Sequence, residues 1–235
     1  MQTRGDLPVL FTPLAIAVCF ISSYALFYLI TDPTQFGIYR PRHDWLYVHV
    51  FSGIVAMLLC PIQFWLGVNR RSTTVHRVLG IIYVTAVGVG ATTAFYLAWH
   101  TDFGWVFGLG FAMMAFAWIS STGLATIAIC RRCVEQHREW ITRSYVLTFS
   151  FVTFRVVDVA LEMAKAGTIM ERKTAASWLA WAMPLLVTEM IIQGRKIFAT
   201  PINEAQPRDS SAYTAAPKPV AFALQSSGSP YPPQP

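Results

Sequence analysis

Histidines and a few charges are set into an otherwise apolar chain, and they are where its chemistry would be. Two of the five histidines share a local pattern, His49-Val-Phe-Ser-Gly53 and His76-Arg-Val-Leu-Gly80. A glycine one helical turn from an imidazole leaves room for a flat macrocycle, and axial ligation by histidine is what a b-type haem requires. The same spacing also lets two helices pack closely with no cofactor. His137 has Ile141 at the matching position, so the pattern is not repeated there. Cys130-Arg131-Arg132-Cys133 followed by His137 spells C-x2-C-x3-H, to which His76 would add a fourth zinc ligand. Two incidental cysteines at a helix end are the plainer reading, and Val134 excludes covalent haem attachment through C-x-x-C-H. Arg155 and Asp158 lie three apart on one helical face, where they either neutralise each other as a structural pair or hold a small anion or proton.

The elements that must carry these residues are long and uncharged. Of 235 residues, 54% are apolar and 13% charged, against about 25% charged in an ordinary soluble domain, which excludes a soluble enzyme. No Asp, Glu, Lys or Arg occurs in 7–31, 45–69, 78–101 or 103–130. Each of these runs exceeds the ~20 residues that cross a bilayer core. Two further apolar segments, 141–161 and 175–192, contain internal charges. The expected fold is all-α: a polytopic transmembrane bundle of six helices near 7–30, 45–68, 77–99, 103–130, 140–163 and 175–194, forming one domain over 1–197. A membrane span must satisfy its own backbone, and the alternation of barrel strands is absent. The first run is too long for a signal h-region, so it is expected to remain as a helix.

Charge placement orients the bundle. With the N-terminus inside, twelve Lys and Arg fall on the inner side and five on the outer side, with Arg155 left within a span. That bias predicts both termini in the cytoplasm, N-in and C-in, in a bacterial inner membrane. The excess of base therefore belongs to topology and does not point to nucleic acid. The lipid bilayer is the implied partner, while protein partners and self-association stay open. The Pro-, Ser- and Ala-rich stretch 198–235 is expected to be a disordered cytoplasmic tail.

Orientation sorts the polar residues by depth. An inner layer holds His76, His137, Arg77, Arg138, Arg143 and Gln63; an outer layer holds His49, Arg155 and Asp158, with His100 and Glu162 as further candidates. Arg155 lies 18 residues beyond His137, about 27 Å at 1.5 Å per residue. The inner layer is the candidate haem b site, with His76 and His137 on the iron and Arg77, Arg138 and Arg143 near propionates. His49 would serve an outer site, and a purely structural or headgroup-binding role for the histidines is the alternative. Glu189 is expected to snorkel or to pair with Arg195, and Pro61 and Pro184 are candidate kinks. Trp45, Trp99, Trp105 and Trp140 fall near span ends, as an interfacial belt does. Phosphate-cradling loop, nucleophile elbow and His-Glu-x-x-His helix are all absent.

His49-x3-Gly53, Cys60-Pro61-Ile62-Gln63-Phe64, Val75-His76-Arg77-Val78-Leu79-Gly80-Ile81-Ile82-Tyr83 and His137-Arg138-Glu139-Trp140-Ile141-Thr142-Arg143-Ser144-Tyr145, with Arg155 downstream, form a combination more specific than any one motif. On it, the chain over roughly residues 40 to 165 resembles the predicted membrane proteins of the domain of unknown function 2306 family. Cys60 and Ile141 depart from the Gly and Met common at those places. The resemblance implies a polytopic membrane protein and no activity. More distantly, the helix count and the His76/His137 placement are similar to the ascorbate-reducible transmembrane cytochrome b proteins. Those carry one ligand on each of four consecutive helices, whereas the fourth span here has no histidine.

Overall fold

The computed structural model describes residues 41–69 and 73–199. All regular structure there is helical: α1 His43–Asn69, α2 Thr73–Trp99, α3 Trp105–Cys130, α4 Val134–Thr148, α5 Ser150–Met163 and α6 Ile169–Ala199. The expected 7–30 helix, and the tail from residue 200 on, lie outside the described residues. Four helices, α1, α2, α3 and α6, are long and apolar enough to cross a membrane.

The first four helices form an antiparallel bundle. His49 near the start of α1 meets Gly90 near the end of α2, and Gln63 near the end of α1 meets His76 near the start of α2. Trp118 of α3 bonds Thr148 of α4, and Ala125 of α3 bonds His137 of α4. Small residues allow this approach: Ala56, Ala91, Ala115, Ala125 and Ser144 are fully buried. A Cβ on Gly90 would stand 3.0 Å from Ser52 Oγ and 3.1 Å from the Trp118 ring, so three helices close on one glycine. The outward surface is the reverse of a soluble protein, with Phe51, Ile81 and Met190 64, 63 and 66% exposed. Lipid, whose tails are as apolar as these side chains, is the solvent that such a shell fits.

The fifth predicted span, 140–163, is two helices rather than one, and it begins earlier, at Val134. At Phe149 the ladder tightens: its N–H is shared between the carbonyls of Tyr145 (3.3 Å) and Val146 (3.2 Å). Thr148 Oγ1 donates back to the Ser144 carbonyl and Thr153 Oγ1 to that of Phe149. Such back-bonding competes with the regular ladder and bends helices. By contrast, α1 and α6 continue through Pro61 and Pro184.

The α3–α4 turn closes with Arg132 in the left-handed region (φ 61°) and the Cys133 N–H on the Ala128 carbonyl. Thr168 and Glu171 form a capping box at the start of α6: the Thr168 N–H and hydroxyl both donate to the Glu171 carboxylate, and Thr168 Oγ1 accepts the Glu171 N–H. α6 lies against α3, α4 and α5. Its Ser177 faces Gly110, its Lys173 pairs with Asp158 and its Glu189 with Arg143.

Candidate functional site

At the end of the bundle where α1 finishes and α2 begins, the structure gathers His76, His137 and Gln63. Gln63, 3% exposed, donates from Nε2 to the His76 carbonyl at 3.0 Å. His137 donates from Nδ1 to the Ala125 carbonyl at 2.9 Å, which leaves Nε2 as the nitrogen free to act elsewhere. Among the described residues, two buried atoms at this site have no hydrogen-bond partner, His76 Nδ1 and Gln63 Oε1. Gly67 lets the backbone pass beside His76: a Cβ there would be 3.6 Å from Cε1.

His76 and His137 are the residues that would hold a haem here, and the unsatisfied buried atoms His76 Nδ1 and Gln63 Oε1 mark a place with hydrogen-bonding capacity to spare. The fit is to the ligands. The expected surroundings differ. Gly80 makes room for the Gln63 amide, since its Cβ would be 3.1 Å from Nε2, and not for a ring beside His76. Arg143 is committed to Glu189 through Nε (2.9 Å) and Nη2 and stacks on Trp140 at 4.7 Å, so it is not a free propionate partner. Arg138 is engaged on the surface with Glu135 at 3.0 Å, while Arg77 is exposed with no ion pair among the described residues. Among those residues no group of three His, Cys, Asp or Glu side chains is arranged to hold a metal ion, so the C-x2-C-x3-H zinc reading is not assembled. Cys130 and Cys133 are exposed free thiols.

Midway along the bundle lies a network that sequence reasoning missed. The Tyr83 hydroxyl bonds Ser144 Oγ at 2.7 Å and Thr148 Oγ1 at 2.9 Å; Thr122 Oγ1 bonds Ser144 Oγ at 2.7 Å; Trp118 Nε1 donates to Thr148 Oγ1 at 3.0 Å. All five residues are buried, and Cys60 packs in the same core cluster as Tyr83 and Trp118. Spacing held the signal: Tyr83 follows His76 by seven residues, and Ser144 follows His137 by seven, two turns in each case.

At the other end the expected outer site is not brought together. Asp158 turns inward, 8% exposed, and pairs with Lys173 of α6, a residue that the sequence assigned to a loop. Arg155 faces outward over the Phe151 ring at 5.4 Å, so the predicted Arg155–Asp158 pair does not form. Side chains three residues apart on a helix still differ by about 60° in direction, enough here to send one to the core and the other to the surface. His49 is held between α1 and α2, its Nδ1 donating to the Gly90 carbonyl at 3.0 Å. Glu189 pairs with Arg143, which α4 presents towards α6 within the bundle.

The family profile described as "Predicted membrane protein (DUF2306)" matches residues 46–192, well over half of the chain. No match is found among curated proteins or among solved structures. The matched stretch runs from the first turns of α1 almost to the end of α6 and takes in both histidine helices, the hydroxyl network and both buried ion pairs. The chain belongs to the DUF2306 family of predicted membrane proteins.

Proposed function

We propose that this protein is a transmembrane electron carrier of the b-type haem class, with His76 and His137 as the residues that would hold the haem. One observation supports the reading: His76 and His137 each stand seven residues before Tyr83 and Ser144, whose hydroxyls bond at 2.7 Å across α2 and α4, which sets the two histidines at one level of the bundle. A haem bound there supplies reversible one-electron chemistry. The chain's own residues supply orientation and exclusion. The Ala125 carbonyl fixes which His137 nitrogen carries the proton, as the outer partners of metal-ligating histidines do. Tyr83, Leu147 and Val87, all essentially unexposed, keep the core dry.

The test is spectroscopic. Full-length protein purified from haem-sufficient cells should show a Soret band that shifts on reduction, and His76→Ala and His137→Ala should each abolish it. A colourless wild type ends the reading. On the same proposal both termini face the cytoplasm of a bacterial cell and the span ends at His76 and His137 lie on the inner side, supported by the division of Lys and Arg, twelve against five. Alkaline phosphatase fusions in the α3–α4 turn should be inactive and those in the α5–α6 connection active; the opposite pattern reverses the orientation.

A further inference from the structure

Gln63 is an expensive residue where it stands. A primary amide buried in a membrane span costs free energy unless both its donor and its acceptor are satisfied. Its Nε2 is satisfied by the His76 carbonyl, yet that carbonyl lies in a regular helix and already has a ladder partner, so the bond is not needed for the backbone. Its Oε1 is buried with no partner, and so is His76 Nδ1. Of the four buried side-chain atoms without a partner among the described residues, two therefore belong to this one hydrogen-bonded pair of residues. One is an acceptor, and the other is a nitrogen able to donate. Gly80 adds an independent sign of fit: any larger residue would press on the Gln63 amide, whose Nε2 is 3.1 Å from the place of a Cβ.

We infer that Gln63 is the positioning residue of His76, its Oε1 receiving the His76 Nδ1–H through one shared water molecule. This rests on the proposed haem ligation. The water accepts from Nδ1 and donates to Oε1, so every polar atom of the pair is satisfied. The imidazole is thereby held in the Nδ1–H tautomer with the Nε2 lone pair free, as a metal ligand needs. His137 reaches the same state by a different route, through a direct bond to the Ala125 carbonyl. Each ligand is thus oriented from a neighbouring helix, His76 by α1 and His137 by α3.

The experiment uses full-length protein in nanodiscs and two readouts, the tautomer of His76 by nitrogen-15 NMR of haem-free protein, and haem affinity by titration. Wild type should show the Nδ1–H form. Gln63→Met, similar in volume but without an acceptor, should lose that preference and bind haem at least tenfold more weakly, within the range for removal of outer-shell partners. Gln63→Glu, whose carboxylic acid form keeps an acceptor oxygen at the same reach and an O–H for the His76 carbonyl, should retain both where that acid is protonated. Gly80→Ala, which crowds the amide and leaves Gln63 chemically intact, should move both readouts in the direction of Gln63→Met. An Nε2–H tautomer in wild type, or a tautomer and affinity unchanged in Gln63→Met and Gly80→Ala, overturns the role of Gln63 and leaves the haem reading standing. Wild type that binds no haem but loses its Nδ1–H preference in Gln63→Met overturns the haem reading and leaves the positioning role standing.

Discussion

Tyr83 is the residue on which the middle of the bundle converges, because its one hydroxyl is shared with Ser144 and Thr148 while its ring meets Tyr145 edge-on at 5.3 Å. The partners are not left stranded if the hydroxyl goes: Ser144 keeps Thr122, and Thr148 keeps Trp118 and the Ser144 carbonyl. Tyr83→Phe should therefore cost on the order of 1 kcal/mol, as single interhelical hydrogen bonds in membranes do. Trp118→Phe should cost more than its lost hydrogen bond, since the smaller ring also opens space beside Gly90. Reversible unfolding of both variants in mixed micelles checks the order. In the sequence the seven-residue spacings put Tyr83 and Ser144 at one level, but do not tell which hydroxyls meet. Ser, Thr and Tyr are common in spans, and which of them meet depends on the rotation of each helix, a tertiary property.

At the scale of elements, α6 is the helix whose attachment is most specific. It is docked at two places 16 residues apart, Lys173 on Asp158 and Glu189 on Arg143, a separation of about 24 Å along the helix. Between them Ser177 sits against Gly110 and Trp178 donates to the Val106 carbonyl at 3.2 Å. Glu189→Gln leaves the Arg143 guanidinium, 10% exposed, without its counter-charge. Breaking a buried pair costs about 3–5 kcal/mol, discounted here to roughly 2–3 kcal/mol because Glu189 is 40% exposed. Replacing both partners by Leu should cost less than Glu189→Gln alone, which a double-mutant cycle reads directly. Gly110→Ala should loosen the same helix by about 1–3 kcal/mol, since its Cβ would stand 2.6 Å from Ser177 Oγ, measured as earlier proteolysis after Gly194 relative to wild type. The sequence hid both ion pairs. Arg143 and Glu189 are 46 residues apart, and local spacing offered Asp158 the nearer Arg155 instead.

Taken whole, the described part of the chain is a bundle whose long helices were plain in the sequence because uncharged runs of more than ~20 residues have one economical reading. Their boundaries were also close: 45–68 against His43–Asn69 and 103–130 against Trp105–Cys130. The break at Phe149 was not legible, since it arises from hydroxyl back-bonding within an apolar stretch that carries neither Gly nor Pro. The placement of His76 and His137 on helices that meet through Tyr83 and Ser144 follows the expected depths; the commitment of Arg143 was not legible. The network around Tyr83 contains no carboxylate, imidazole or ammonium group, and each of its hydroxyls is bonded to another of them, to Trp118 or to a helix carbonyl. A hydrogen ion travelling through the centre would find no station to rest on.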